Sequence, residues 1–307
     1  MLKSRISVLA LFVLLGHAAQ AQQDPPARGS PSDDTSARAS TPPGSFYKAS
    51  DLIGFSVRNA KEEKLGDIKD LLVDMKRQCV GFAVVAYGGF LGIGDKLYAV
   101  PWNAFVLSSR DRQATIDVDK EKLKNAPGFQ KDAWPAGYDE KWAGDLFTFY
   151  GTQPYWQMGD TIGKLGGAGA DPLDRLKQPP LTGAQPLRLY RASNLMGLKV
   201  ENPAAESLGK VEDLAIDGDR GHVLYAVLSF GGFLGMGDKY FAIPIDVFEL
   251  KPDGKALVLS VAKDKLKNAP GFDQSAWPDM ASPRWTTEIH KYYGQKPYWE
   301  RPQGEKN

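Results

Sequence analysis

Two stretches of the chain are apolar at consecutive positions, Val80-Gly81-Phe82-Ala83-Val84-Val85 and Val223 to Leu228, and each follows a mixed run that ends in aspartate. A strand with one buried face alternates, whereas a strand covered on both faces is apolar throughout. The pattern predicts a hairpin from Leu65–Asp74 through the turn Met75-Lys76-Arg77-Gln78 into Cys79–Tyr87. A second hairpin turns at Gly218-Asp219-Arg220-Gly221, a better turn sequence. Further strands are expected at Leu97–Pro101 and Tyr240–Pro244, ending on prolines that cannot donate to a ladder, and at Thr115–Val118 and Ala256–Val261. Short strands separated by glycine turns predict a mainly β protein made of two tandem small antiparallel β-barrels, since closure removes exposed edges.

After each set of strands the period changes to that of an amphipathic helix. Trp142, Leu146, Phe149 and Tyr150 fall at i, i+4, i+7 and i+8, and Trp285, Ile289, Tyr292 and Tyr293 repeat the spacing. Ser282 suits the N-cap and Pro283 the first helical position, while Gly151 and Gly294 suit the stops. The aromatic stripes are expected to be core, with docking on the other unit or on a partner as the alternative. Pro154-Tyr155-Trp156 and Pro297-Tyr298-Trp299 are expected to pack back onto the barrels.

These parallels are one internal repeat at a constant offset of 143 residues, with about 48 identities over about 110 aligned positions and no gap. The expected organisation is a signal peptide over 1–21, a disordered leader over 22–45, a barrel over 46–123 and an aromatic helical extension over 124–156. A linker over 157–189 follows, then the second barrel over 190–266, its extension over 267–299 and a tail over 300–307. Lys3 and Arg5, the apolar run Ile6 to Gly16 and Ala19-Gln20-Ala21 carry the signal-peptide reading. The Pro/Ser/Ala-rich leader lacks the apolar periodicity needed to offset its ordering entropy. The Gly- and Pro-rich linker is long enough to leave the relative placement of the two units open. Export to a bacterial periplasm, or secretion, is the expected localisation.

Composition narrows the function. With 38 Lys+Arg against 37 Asp+Glu the chain lacks the basic footprint of a nucleic-acid binder. One Cys excludes an intramolecular disulfide and a Cys-rich zinc site, and three His leave little for acid–base work. Cys79 aligns with His222, so the repeat does not need a thiol there; it is expected at a strand start, half-buried, with a link between two chains as the alternative. His222 and His290 have no metal-spaced partners, and no nucleophile–base set recurs in both copies. No catalytic residue, metal ligand or cofactor is expected, and no stable membrane insertion.

At Ser50-Asp51-Leu52-Ile53-Gly54, Leu65-Gly66-Asp67-Ile68-Lys69-Asp70, Asp74 and Gly88–Lys96 through Val100-Pro101-Trp102, the chain resembles the PRC-barrel domain family. The second copy carries Asn194-Leu195-Met196-Gly197, Leu208-Gly209-Lys210-Val211-Glu212-Asp213, Asp217 and Gly231–Lys239 through Ile243-Pro244-Ile245. The resemblance covers about 75 residues of each unit and implies a small β-barrel used for docking, with no catalytic residues to carry over. The aromatic extensions over Asn125–Trp156 and Asn268–Trp299 depart from that pattern.

The glycine-rich Gly88–Lys96 stretch invites a phosphate-loop reading, which fails because Asp95 stands where a lysine is needed and a strand follows. A hairpin is the better reading. Phe90 and Leu91, with Phe233 and Leu234, then sit near its tip and either close the barrel end or form an exposed binding patch. Asp95, Lys96, Asp238 and Lys239 flank that patch as turn and solvated-strand residues rather than an acid–base pair. These eight residues are the candidate interaction site, and the expected role is a docking module for an unknown protein of the cell envelope. Two alternatives stay open: a structural or stress-related self-associating protein, and a small-molecule or cofactor-binding protein.

Overall fold

A computed structural model describes residues 45–87, 96–157, 186–230, 239–297 and 300. The first repeat opens with β1 (Phe46–Lys48) and the single turn α1 (Ala49–Leu52), followed by β2 (Ser56–Asn59), β3 (Lys64–Asp74), β4 (Cys79–Tyr87) and β5 (Lys96–Pro101). A 3-10 turn at Trp102–Ala104 leads into β6 (Phe105–Ser108) and β7 (Gln113–Ile116). Then come α2 (Lys120–Lys124), β8 (Gly128–Gln130), β9 (Tyr138–Asp139) and α3 (Glu140–Tyr150).

The second repeat follows much the same order, with an extra strand at its start and an isolated bridge, Tyr240–Phe272, where the first has β8. Its elements are β10 (Pro186–Leu187), β11 (Leu189–Arg191), α4 (Ala192–Leu195), β12 (Lys199–Glu201), β13 (Ser207–Asp217), β14 (Val223–Phe230) and β15 (Lys239–Pro244). After a 3-10 turn at Ile245–Val247 come β16 (Phe248–Leu250), β17 (Ala256–Leu259), α5 (Lys263–Lys267) and α6 (Pro283–Tyr293).

The long hairpins form as the pattern predicts. β4 is buried from Cys79 to Ala86, with β3 on one side and β5 on the other, and β14 is buried from Val223 to Ser229 between β13 and β15. Each hairpin is pinched where a glycine meets the facing strand. Gly66 (φ 157°) and Gly209 (φ 112°) lie so close to the carbonyls of Ala86 and Ser229 that a Cβ would collide with backbone oxygen.

The sheets curl into half-barrels, but they are mixed rather than purely antiparallel. β2 pairs with β7 in parallel, and β12 with β17 likewise. The reason lies at the prolines that end β5 and β15. The 3-10 turn after Pro101 or Pro244 makes a corner instead of a hairpin, so the next strand runs on in the same direction. The chain then returns to the first strand of the barrel with the same sense.

The two helices cover the barrels with a face shifted from the expected stripe. Ala143, Leu146, Phe147 and Tyr150 are buried on α3, and Thr286, Ile289, His290 and Tyr293 on α6. Trp142, Phe149, Trp285 and Tyr292 flank that face and are only partly buried. Small Ala143 and Thr286 let the helix approach, which an indole at the contact line would prevent. Gly151 and Gly294 end the helices in the left-handed conformation, at φ 71° and 72°. Tyr155 folds back over Gly81, and its hydroxyl donates to Asp74 at 3.0 Å; Tyr298 and Trp299 lie outside the described residues.

The two repeats interlock, which the linker alone left open. β1 adds to β13 of the second repeat, pairing Phe46–Lys48 with Ala215–Asp217, and β11 adds to β3 of the first, pairing Leu189–Arg191 with Leu72–Asp74. Each repeat thus lends its opening strand to the other. At the crossing point Cys79 pairs with His222 in an antiparallel bridge, held by Val80 N–H to the Gly221 carbonyl and Val223 N–H to the Gln78 carbonyl, both 2.8 Å. Trp102 and Tyr47 pack over Gly221 and Gly218 of the second repeat's turn. One hydrophobic cluster runs through both repeats.

Candidate interaction sites at the seams and strand ends

Each exchanged strand ends in one helical turn whose first N–H groups lack partners of their own. The cap comes from the other repeat. Asp70, fully buried in β3, accepts from the Ser193 amide at 3.1 Å and from its hydroxyl at 2.5 Å. Asp213 in β13 accepts from the Ser50 amide at 3.1 Å and from the Ser50 hydroxyl. An aspartate at a helix start is favourable both as acceptor and as charge. Here it also joins the repeats.

Beyond the caps the two seams differ. In the first, Arg191 donates from Nε to Asp70 Oδ2 at 2.7 Å, and its guanidinium lies over the Trp134 ring, 4.0 Å from the centroid. Tyr138 lies near both charges, and burial pushes its hydroxyl pKa up. Its ring also meets Trp142 at a tilt, with centroids 5.0 Å apart. The short pair β9–β10 aligns Tyr138 with Leu187 beside the seam. This seam is closed.

In the second seam Lys48 takes the place of Arg191. Its ammonium lies 4.3 Å from the Trp277 centroid, and Asp213 makes no ion pair among the described residues. Burial raises the Asp213 pKa above the usual aspartate value, an effect opposed by hydrogen bonds from Ser50 and Leu214 and by the charge of Lys48. Ala281 stands where the first repeat has Tyr138, and Glu212 where it has Lys69. Glu212 accepts from the Ser229 hydroxyl at 2.6 Å and pairs with Lys210 at 3.0 Å. The result is an open pocket of about 210 Å³ lined by Lys48, Glu212, Asp213, Tyr240, Gln274 and Trp277.

Of the eight sequence-derived site residues, Lys96 and Lys239 are described. Phe90, Leu91, Asp95, Phe233, Leu234 and Asp238 fall outside the described residues. Lys96 and Lys239 open β5 and β15, opposite Tyr87 and Phe230. Lys96 extends over the Tyr98 ring at 5.2 Å, and Lys239 is exposed. Cys79 is buried at the start of β4, and burial raises its thiol pKa. His290 is buried too, its Nδ1 2.9 Å from the Thr286 carbonyl. Among the described residues no group of three or more His, Cys, Asp and Glu could hold a metal ion, and no helix is long and apolar enough to cross a membrane.

Sequence reasoning did not single out Asp70, Asp213, Ser50 or Ser193 as functional, although Ser50, Asp70 and Asp213 lie in the motifs already quoted and Ser193 immediately precedes one. The available signal was an aspartate repeated at a buried register of a strand, just before Leu71 and Leu214. A buried carboxylate must find donors, and the nearest strand offers none to spare.

Two small curled β-barrels sharing strands define a duplicated module. The sequence model of the PRC-barrel domain matches residues 44–123 and again 188–266, together about half of the chain. The protein belongs to the PRC-barrel family, with the domain present twice. PRC-barrel domains are in general non-enzymatic. Comparison with curated proteins finds no match.

Proposed function

We propose that this tandem PRC-barrel protein is a non-catalytic, two-headed docking module of the cell envelope, exported by its N-terminal segment and engaging a protein partner through the ends of its two long hairpins. The antiparallel Cys79–His222 bridge carries this reading. From that crossing β4 runs to Tyr87 in one direction and β14 to Phe230 in the other. The two strand ends therefore face opposite ways, up to about 50 Å apart at about 3.3 Å per residue. Each leads into a glycine-rich sequence that differs between the copies at Ile93 and Met236, with Phe90 and Leu91 in one and Phe233 and Leu234 in the other. A module of this kind holds two closely similar binding heads at a set spacing, which raises avidity for a partner that offers both sites.

The test is cross-linked capture from envelope extract with the mature chain as bait. Three folded variants are compared by circular dichroism and capture: Phe90→Asp with Leu91→Asp, Phe233→Asp with Leu234→Asp, and all four together. A two-headed module keeps weakened capture with either pair changed and loses it with all four. Equal capture by wild type and the four-residue variant rejects the reading.

A further inference from the structure

We propose that the second seam is a binding site for a guanidinium group, seated on Trp277 and paired with Asp213. The observation is internal to the molecule, because the first seam shows what such a seat holds. There Asp70 Oδ2 receives two donors, Ser193 Oγ at 2.5 Å and Arg191 Nε at 2.7 Å, while the guanidinium carbon lies 4.0 Å from the Trp134 centroid. The second seam repeats the acceptor and the ring as Asp213 and Trp277, at the same offset. Among the described residues, Asp213 Oδ2 receives the Ser50 hydroxyl alone.

Three replacements make the second seat available. Lys48 has a compact, strongly hydrated charge that cannot stack on a ring and bond a carboxylate sideways at once, as the planar arginine fork does. Ala281 removes the bulk that Tyr138 supplies beside the first seat. Glu212, in place of Lys69, adds a second carboxylate to the pocket wall. The pocket therefore offers an aromatic face and the Asp213 carboxylate, with Glu212, already paired with Lys210, on its wall. Its volume of about 210 Å³ suits a molecule or side chain of arginine size. On binding, the ligand takes the ring face and the Lys48 ammonium moves out into solvent, its contacts to the half-buried Trp277 ring and to the Asp213 charge being replaced by those of the guanidinium. The pocket borders the end of the second hairpin, since Tyr240 adjoins Lys239 and Glu212 bonds Ser229, but its ligand and its test differ from those of the docking reading.

The experiment is isothermal titration of the mature full-length protein with methylguanidine, agmatine and N-acetyl-arginine amide, and with cadaverine as the ammonium control. Saturable binding of guanidinium compounds is expected, with cadaverine at least about 10-fold weaker. Agmatine binding without the capped arginine assigns the site to small molecules, and comparable binding of both assigns it to an arginine within a chain. Lys48→Arg fills the seat from within and should weaken binding at least about 10-fold while preserving charge and fold. Trp277→Phe should weaken it too, and Trp134→Phe in the first seam should not. No saturable binding to wild type at 10-millimolar order ligand, or binding undiminished in Lys48→Arg, overturns the proposal.

Discussion

The first and second seams are built from the same parts at the same offset, yet one is closed by an ion pair and the other open. Both use a buried aspartate to cap a helical turn from the opposite repeat, so the cap is what the interlock requires. Only the first adds a cation bonded to that aspartate while held over a tryptophan ring. The difference separates two roles that a single barrel would leave fused: joining the repeats, and filling the space beside the joint. Duplication keeps the first role in both copies and frees one copy from the second.

Removing the aspartates gives the largest test of that separation. Asp70→Ala strips Ser193 of its cap and leaves Arg191 without its partner, an expected cost of about 3 kcal/mol, at the low end for a broken pair because Arg191 is partly exposed. Asp213→Ala loses the Ser50 bonds but strands no bonded cation, an expected cost of about 2 kcal/mol. Urea unfolding of both variants measures the gap. Equal midpoint shifts would mean that the Arg191 pair adds nothing to the closed seam.

Exchanging the cations tests the same point from the other side. Arg191→Lys should open the first seam and lose about 1 kcal/mol, whereas Lys48→Arg should close the second and gain up to about 1 kcal/mol. A Lys48→Arg variant no more stable than wild type would show that the second seat cannot accept a guanidinium plane. Thermal or urea midpoints decide it.

Much of this was legible in the chain. The continuous apolar runs at Val80–Val85 and Val223–Leu228 marked the doubly covered strands, and Gly151 and Gly294 marked where the helices stop. The exchange was not legible, because Phe46–Lys48 and Leu189–Arg191 are three-residue strands, too short to show a period. Their partners are chosen by tertiary packing, as is the parallel return of β7 and β17. The five-residue α2 and α5 were missed for the same reason, though Asp119 accepts from the Lys122 amide at 2.7 Å as a cap for the first. The seam pocket is a difference between copies, visible only once Arg191 and Lys48 are known to occupy one place.

A smaller effect concerns protonation. The Asp213 carboxyl should titrate above 3.8, the usual aspartate value, because burial outweighs its donors. A raised folded-state pKa means that the folded chain binds this proton more tightly than the unfolded one. Acidification from neutrality therefore adds stability through Asp213, complete below about pH 3.8, and the gain disappears as the pH rises through the raised value. Carboxyl NMR shifts followed against pH measure it directly. In Lys48→Arg the new guanidinium favours the charged form, so the midpoint should fall; an unchanged midpoint would place the arginine away from the carboxylate.

The smallest expected effect lies at the crossing between the repeats, where Gln78 and Gly221 hold equivalent positions in the two turns. Both are left-handed, at φ 56° and 73°. Gly221 has two reasons to be glycine, since Trp102 from the other repeat occupies the space a Cβ would need. Gln78 has a side chain in a conformation that disfavours one, at a cost of about 1–2 kcal/mol. Gln78→Gly removes that strain but enlarges the freedom of the unfolded chain, which returns about 0.4–1 kcal/mol of the gain. The net expectation is stabilisation by about 0.5 kcal/mol, read as a small upward shift of the urea midpoint at constant slope. A loss instead would mean that the Gln78 side chain contributes to the crossing more than its backbone costs, and the two turns would then differ in kind as the two seams do.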